Sequence, residues 1–287
     1  MKKPDIKDLF EPRGIAVIGA SESEGKIGHK VVDNIVSGGY KGGIYPVNPK
    51  RGNILGLPVY NSVERIKGNV DLAIIVVPAK FVYDEVVKCA GKKVKFLSII
   101  TSGFSEVGDI ETEKRIASFA NTHGMRVLGP NIFGTYSSKV SLNATFGPKN
   151  IKKGNVAIIT QSGALGIAMI GKTAVENIGL SSIISVGNKS DLNESNLLEY
   201  LVEDKATRII MMYIEGVHDG NELVNSLIHS AKKKPVIVIK SGRSKRGAMA
   251  AASHTGSLAG ADDVFDNIMR QCGILRAESI AEAFNWA

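Results

Sequence analysis

Residues 14–20 read Gly-Ile-Ala-Val-Ile-Gly-Ala and run directly into Ser21-Glu22-Ser23-Glu24-Gly25-Lys26-Ile27-Gly28. An apolar run bounded by glycines predicts a buried strand that ends in a tight turn. From about His29 to Val36 the apolar residues Val31, Val32 and Ile35 fall on one face, which predicts a helix. Strand, glycine loop and helix together open a dinucleotide-type βαβ unit. The glycines let the chain turn sharply, and free N–H groups at the helix start attract phosphate oxygens. The spacing departs from G-x-G-x-x-G, so the stretch gains its meaning from the strands and loops C-terminal to it.

Four more strands are expected in the first half. Gly43-Ile-Tyr-Pro-Val-Asn48 gives the second, 70–77 the third, 94–100 the fourth and Arg126-Val-Leu128 the fifth. Helices are expected after the third strand, to about Gly91, and over about 111–123. The second strand ends in Asn48-Pro49-Lys50-Arg51, where a nicotinamide-binding chain carries an acid for the ribose hydroxyls. Cations there favour a ligand with extra phosphate. NADP satisfies that condition, but no later residue resembles hydride-transfer machinery. The loops at the strand ends, Pro78-Ala79, Thr101-Ser102-Gly103 and Gly129-Pro130-Asn131, are built from small and turn-forming residues. Ordinary turns use the same residues, but in a doubly wound sheet these loops line one crevice.

A fresh α/β pattern starts after Lys152-Lys153-Gly154. Strands are expected over 155–160, 181–186, 208–214 and 235–239. The first turns through Gln161-Ser162-Gly163-Ala164-Leu165-Gly166 into an apolar helix, which puts Ser162 and the Gly163 N–H at a positive helix end. A nucleophile elbow has a similar shape, but G-x-S-x-G is absent because Thr160 and Ala164 occupy the glycine positions. An anion-holding role is therefore expected. Glu215 follows the third strand of this half, and the fourth leads into Ala250-Ala-Ala-Ser-His-Thr-Gly-Ser257. His254 sits there among small residues; taken alone the stretch reads as a surface-loop histidine, but the setting also suits a nucleophile for a phosphoryl group on a moving loop.

The composition narrows the possibilities. At 287 residues the chain has room for two domains, expected over 1–145 and 146–287. Its 44% hydrophobic and 22% charged residues are ordinary for a globular protein. The formal charge of +8 suits anionic ligands, but scattered lysines and 6% aromatic residues give no stacking platform for nucleic acid. No apolar run matches a membrane span, and Met-Lys-Lys-Pro-Asp lacks the core of a signal peptide. Two unpaired cysteines, Cys89 and Cys272, point to a reducing cytoplasm and to no metal site.

Six motifs then carry a resemblance. They are Val-Asn-Pro-Lys at 47–50, Asp-Leu-Ala-Ile-Ile-Val-Val-Pro-Ala at 71–79, Gln-Ser-Gly-Ala-Leu-Gly at 161–166, Val-Gly-Asn-Lys at 186–189, Tyr-Ile-Glu-Gly at 213–216 and Ser-His-Thr-Gly at 253–256. Through them the whole chain resembles the CoA-binding α portion of the nucleoside-diphosphate-forming acyl-CoA synthetases. It looks closer to the ADP-forming acetyl-CoA synthetase branch than to succinyl-CoA synthetase.

The resemblance implies an α/β architecture, a Rossmann-like CoA-binding domain followed by a flavodoxin-like doubly wound domain. It implies that Gly19, Ala20, Ser21, Lys50, Val77, Pro78, Ala79, Ser102 and Asn131 line the CoA site. Ser162, Gly163 and Gly256 would hold phosphate, His254 would carry the phosphoryl group, and Glu215 would orient it. ATP or ADP and Mg2+ would sit on an ATP-grasp subunit or domain, which makes the chain part of a hetero-oligomer or of a longer protein. Gly129-Pro-Asn-Ile-Phe-Gly134 departs from the pattern, since relatives more often have a smaller residue or cysteine after the asparagine. The rival readings are an NAD(P)- or CoA-binding regulatory module and the CoA-binding region of a protein acetyltransferase. Neither uses His254, Glu215 and the 161–166 turn together.

Overall fold

The computed structural model describes residues 3–50, 52–242 and 262–287, and the chain forms two compact units. Unit 1 is Met1–Asn150 with Gly187–Leu192; unit 2 is Ile151–Val186 with Asn193–Ala287. No helix among the described residues is long and apolar enough to cross a membrane.

Unit 1 is built on β1 (Gly14–Ile18), β2 (Gly43–Val47), β5 (Leu72–Ile75), β6 (Phe96–Ile99) and β7 (Arg126–Leu128). They pair in parallel in the order β2-β1-β5-β6-β7. Taken in chain order these strands read 2-1-3-4-5, so the winding reverses between β1 and β5. Every residue of β1, β5 and β6 is buried, which is why they read as apolar runs, with the buried Ser98 the one polar side chain among them. A short antiparallel pair, β3 (Asn53–Ile54) and β4 (Leu57–Pro58), follows β2. The helices are α1 (Lys7–Phe10), α2 (Ile27–Ser37), α3 (Ala79–Gly91) and α4 (Ile110–Thr122).

At the N-terminal ends of these strands, Asp71 is 2% exposed and takes Arg13 Nε at 3.1 Å and Lys95 Nζ at 2.9 Å. Burial pushes its carboxyl up, but Arg13 and Lys95 outweigh that and hold it at about 2. The antiparallel pair β8 (Gly134–Ser137) and β9 (Leu142–Thr145) completes the unit and was not expected from the sequence. Its buried faces include Thr135, Ser137, Asn143 and Thr145, so no apolar alternation announces it. Local hydrogen bonds satisfy part of this polarity: Asn143 Oδ1 accepts the Thr145 hydroxyl at 2.8 Å, and Asn143 Nδ2 donates to Pro148 O at 3.0 Å.

Unit 2 contains β10 (Lys153–Thr160), β11 (Leu180–Ser185), β12 (Ile209–Ile214), β13 (Val236–Lys240) and β14 (Leu275–Ala277). Their order is β14-β13-β12-β10-β11, with each neighbouring pair parallel. This is again 2-1-3-4-5 in chain order, with the reversal between β10 and β12. The helices are α5 (Gly163–Val175), α6 (Glu194–Glu203), α7 (Gly220–Ala231), α8 (Asp262–Gln271) and α9 (Ile280–Trp286).

The sequence reading kept 146–287 together, whereas Gly187–Leu192 packs with unit 1. Asp191 takes the Arg126 Nε at 2.9 Å, and the Ser190 hydroxyl donates to Gly129 O at 2.8 Å. These long-range bonds have no local sequence signature.

Candidate functional site

A doubly wound sheet opens a crevice at the C-terminal ends of the two strands that flank its reversal. In unit 1 those are the ends of β1 and β5. Gly19 has φ +94, and a Cβ there would lie 2.9 Å from the Val76 carbonyl carbon. A Cβ on Gly28 would meet Gly19 O at 2.1 Å. Only glycine lets the loop fold this tightly on itself and on the end of β5. Gly19 and Ala20 donate their N–H groups to Val47 O at 2.9 and 3.2 Å, which ties the loop to β2. His29 is buried, and its Nδ1 lies 3.0 Å from Ser21 O. A carbonyl only accepts, so Nδ1 carries the proton in that contact. The sequence reading treated His29 only as a helix start; its role in bracing Ser21 was missed.

Asn48 occupies the position of the expected ribose-binding acid. Its Nδ2 donates to Ala20 O at 2.8 Å, and its Oδ1 accepts the Lys50 N–H at 2.8 Å. A carboxylate could not make the first bond. Lys50 is exposed at the end of this bracket. Arg51 lies outside the described residues.

Helix starts differ in their caps, and the one-turn α1 begins after Ile6 with no side-chain cap bond. Side chains of Asp109, Asn193, Asp219 and Ser279 cap α4, α6, α7 and α9. The residues preceding α2 and α3, Lys26 and Pro78, make no side-chain cap bond. Both of these helices begin at the crevice, where their first N–H groups suit anionic oxygens.

Val77, Pro78 and Ala79 form the start of α3. Ala79 Cβ lies 3.3 Å from the position a Cβ on Gly103 would take, so the loop after β6, which contains the exposed Ser102, comes close to α3. The Thr101 hydroxyl donates to Val77 O at 2.7 Å, and Asn131 N–H donates to Thr101 O at 3.0 Å. Hydrogen bonds thus join the loops after β5, β6 and β7. The N–H groups of Gly103, Phe104 and Ser105 are taken by the carboxylates of Glu106 and Glu113. Burial pushes Glu106 up, but N–H donors from Gly103 and Asn188 outweigh it and hold the group below the ordinary range.

In unit 2 the reversal lies between β10 and β12. The Ser162 side chain caps α5 by accepting the Leu165 N–H at 3.4 Å. The preceding Gln161 accepts the N–H groups of Glu215 and Gly216 on Oε1 at 2.9 and 3.1 Å. Its own N–H donates to Tyr213 O at 3.1 Å. The structure therefore brings Ser162, Gly163 and Glu215 together through a residue the sequence reading did not single out. Burial, and then the charge of Glu215, raise the Tyr213 hydroxyl.

His254 and Gly256 lie outside the described residues. The frame on either side of that stretch is described. Lys240, 6% exposed, has Nζ 3.9 Å from Asp262, and Asp262 pairs with Arg276. Burial lowers the Lys240 ammonium against the opposing pull of Asp262.

Comparison with known families matches residues 13–136 to a CoA binding domain and residues 153–287 to a succinyl-CoA ligase like flavodoxin domain. The chain thus joins a CoA binding domain to a succinyl-CoA ligase like flavodoxin domain. It is 51% identical, over 98% of its length, to the alpha subunit of ADP-forming acetate–CoA ligase I of Pyrococcus furiosus. It is 47% identical, over 97% of its length, to the alpha subunit of ligase II of the same organism. The dinucleotide forming acetyl-coenzyme A synthetase 1 of Ca. Korarchaeum cryptofilum, solved with phosphate and ADP, matches 98% of the chain at 48% identity and a TM-score of 0.96. The chain spans 62%, 61% and 61% of the lengths of these three proteins.

Proposed function

We propose that the chain is the CoA-binding and phosphoryl-carrying part of an ADP-forming acid–CoA ligase. The alpha-subunit relatives act, by their names, on acetate, and a short carboxylic acid is the substrate class we assign here. Acyl-CoA and phosphate give acyl phosphate and free CoA. The acyl phosphate hands its phosphoryl group to a ring nitrogen of His254, releasing the carboxylic acid. The phosphohistidine then delivers the group to ADP, and every step is reversible. On this reading the nucleotide and Mg2+ sit on an ATP-grasp partner or domain, and the chain works in the cytoplasm. The two free cysteines agree with a reducing compartment.

Unit 1 supplies the CoA crevice. Gly19, Ala20 and Ser21 shape the loop, and Lys50 adds charge for phosphate. Val77, Pro78 and Ala79 open the second helix start, while Ser102 and Asn131 line the far end. The positive end at β1 and β2 favours phosphate groups. The far end carries Glu106 and Glu113, which favours the uncharged arm and its thiol. In unit 2, the start of α5 at Ser162 and Gly163, with Gly256, holds the transferring phosphoryl group by dipole and N–H groups. Glu215 orients His254 and balances its charge. Such a site works by positioning and fixed electrostatics, which is what phosphoryl transfer requires.

The observation that carries the reading is the Gln161 bracket, which fastens an anion-ready helix start to the backbone of Glu215 and Gly216. The test is to mix the chain with its ATP-grasp partner and labelled ATP, then digest and map the label. Acid-labile phosphate on the peptide containing His254 is the expected result. Label on any other peptide of this chain overturns the assignment.

A further inference from the structure

Gly187–Leu192 belongs to unit 1, although its sequence neighbours on both sides belong to unit 2. The segment runs along the end of β7. Leu192 N–H donates to Val127 O at 3.0 Å, Ser190 N–H to Gly129 O at 3.0 Å, and Asn188 N–H to Pro130 O at 3.0 Å. Gly187 has φ +55, and a Cβ there would lie 2.1 Å from Pro130 O, so this entry point accepts glycine alone.

Asn188 is the centre of the arrangement. Its Nδ2 donates to Glu106 Oε2 at 2.6 Å and to Glu113 Oε2 at 2.8 Å. Ionised carboxylates only accept, so the amide orientation is fixed by chemistry: NH2 faces the two acids, and the oxygen faces away. That oxygen accepts the Asn131 Nδ2 at 3.3 Å. The two acids also accept the N–H groups of Gly103, Phe104 and Ser105. One carboxamide thus joins the loop after β6 to the loop after β7 and sets the orientation of Asn131. It also stands between two like charges that would otherwise repel across the same small space. Asn131 itself sits at φ +62, the left-handed region that asparagine adopts more readily than most side chains.

We propose that Asn188 is a positioning residue for the thiol end of the CoA crevice. It acts through Asn131, whose carboxamide it aims at the arm of the ligand. The proposal rests on the assignment of CoA to unit 1. The ligand can be dissected to test it. CoA carries phosphates, adenosine and arm; adenosine 3′,5′-bisphosphate carries only the charged end.

The experiment is calorimetry of both ligands on the full chain, comparing the unaltered protein with Asn188→Ala, Asn131→Ala and the double variant. Asn188→Ala is expected to weaken CoA about tenfold, the scale of a lost coupling. It should leave the bisphosphate within about twofold. Asn131→Ala should lose a similar factor for CoA, and the double variant should lose no more than either alone. Equal weakening of both ligands by Asn188→Ala means a general loss of structure and overturns the proposal. Unchanged CoA affinity, or additive losses in the double variant, also overturns it. Should Asn188→Ala not fold, Asn188→Ser keeps one donor, and the same comparison applies with Asn131→Ala alone as reference. Failure of the unaltered chain to bind either ligand is a different result, which sinks the CoA reading itself.

Discussion

Asn48 bears on the proposed ligand class at the scale of one residue. Its carboxamide both donates to Ala20 O and accepts from Lys50 N–H, so it braces the loop instead of holding a ribose. Lys50 is left exposed beside the crevice. Replacing Lys50 by Ala is expected to weaken CoA by about 1 kcal/mol, the low end for a charge-assisted contact because water screens the site. Titration at low and high salt checks this, since the difference between the proteins should shrink as salt rises. Gly163 allows a cleaner change. It is the first residue of α5, a position that accepts proline, and Ser162 before it is already extended at φ −92 and ψ 122. Gly163→Pro should therefore keep the helix, remove one N–H donor, and lower phosphoryl transfer about a hundredfold. CoA affinity should not change; parallel label-transfer and calorimetry measurements decide the matter.

Among the elements, the buried strands were legible because parallel strands covered on both faces are continuous apolar runs. The start of β1 and the turn after β10 were legible for the same reason, with glycine and serine marking where each strand stops. What the sequence hid were pairings made at a distance. Gln161 reaches Glu215 and Gly216, His29 reaches back to Ser21, and the polar pair β8–β9 shows no apolar period. Asp71 is a similar case: one acid at the head of β5 that serves Arg13 and Lys95. Its folded carboxyl, at about 2, lies below the unfolded value of about 4. Its contribution is therefore fully present above about pH 4 and disappears as pH falls through 2. Asp71→Asn should cost about 2 kcal/mol in urea unfolding at neutral pH. The gap between the two proteins should close towards pH 2, where the native acid is also becoming neutral.

For the molecule as a whole, two units repeat the same 2-1-3-4-5 winding, and Gly19–Ser21 with Val77–Ala79 in unit 1, and Ser162, Gly163 and Glu215 in unit 2, follow the strands that flank each reversal. The sequence revealed two α/β halves and kept Asn188 in the second, whereas its contacts cluster with the first, because a six-residue excursion looks like any loop after a strand. That excursion makes unit 1 discontinuous. A fragment ending at residue 150 would lack the Asn188 amide between Glu106 and Glu113, and the Asp191 partner of Arg126. It should melt several degrees below a fragment in which residues 187–192 are joined on by a flexible linker, the shift expected for the loss of a few kcal/mol. Calorimetric scans of the two fragments, read for the unit 1 transition, test this; equal melting temperatures would show that the excursion adds nothing to unit 1.

The same excursion gives the protein an order of manufacture. A ribosome adds roughly 5–20 residues per second, and domains generally fold as their chain emerges. Unit 1 has most of its sequence at Asn150, but its last piece ends at Leu192, after β10 and β11 have been made. For some seconds the nascent chain holds a nearly finished first unit whose paired acids still wait for their amide. Its closure falls due while the second unit is only two strands old.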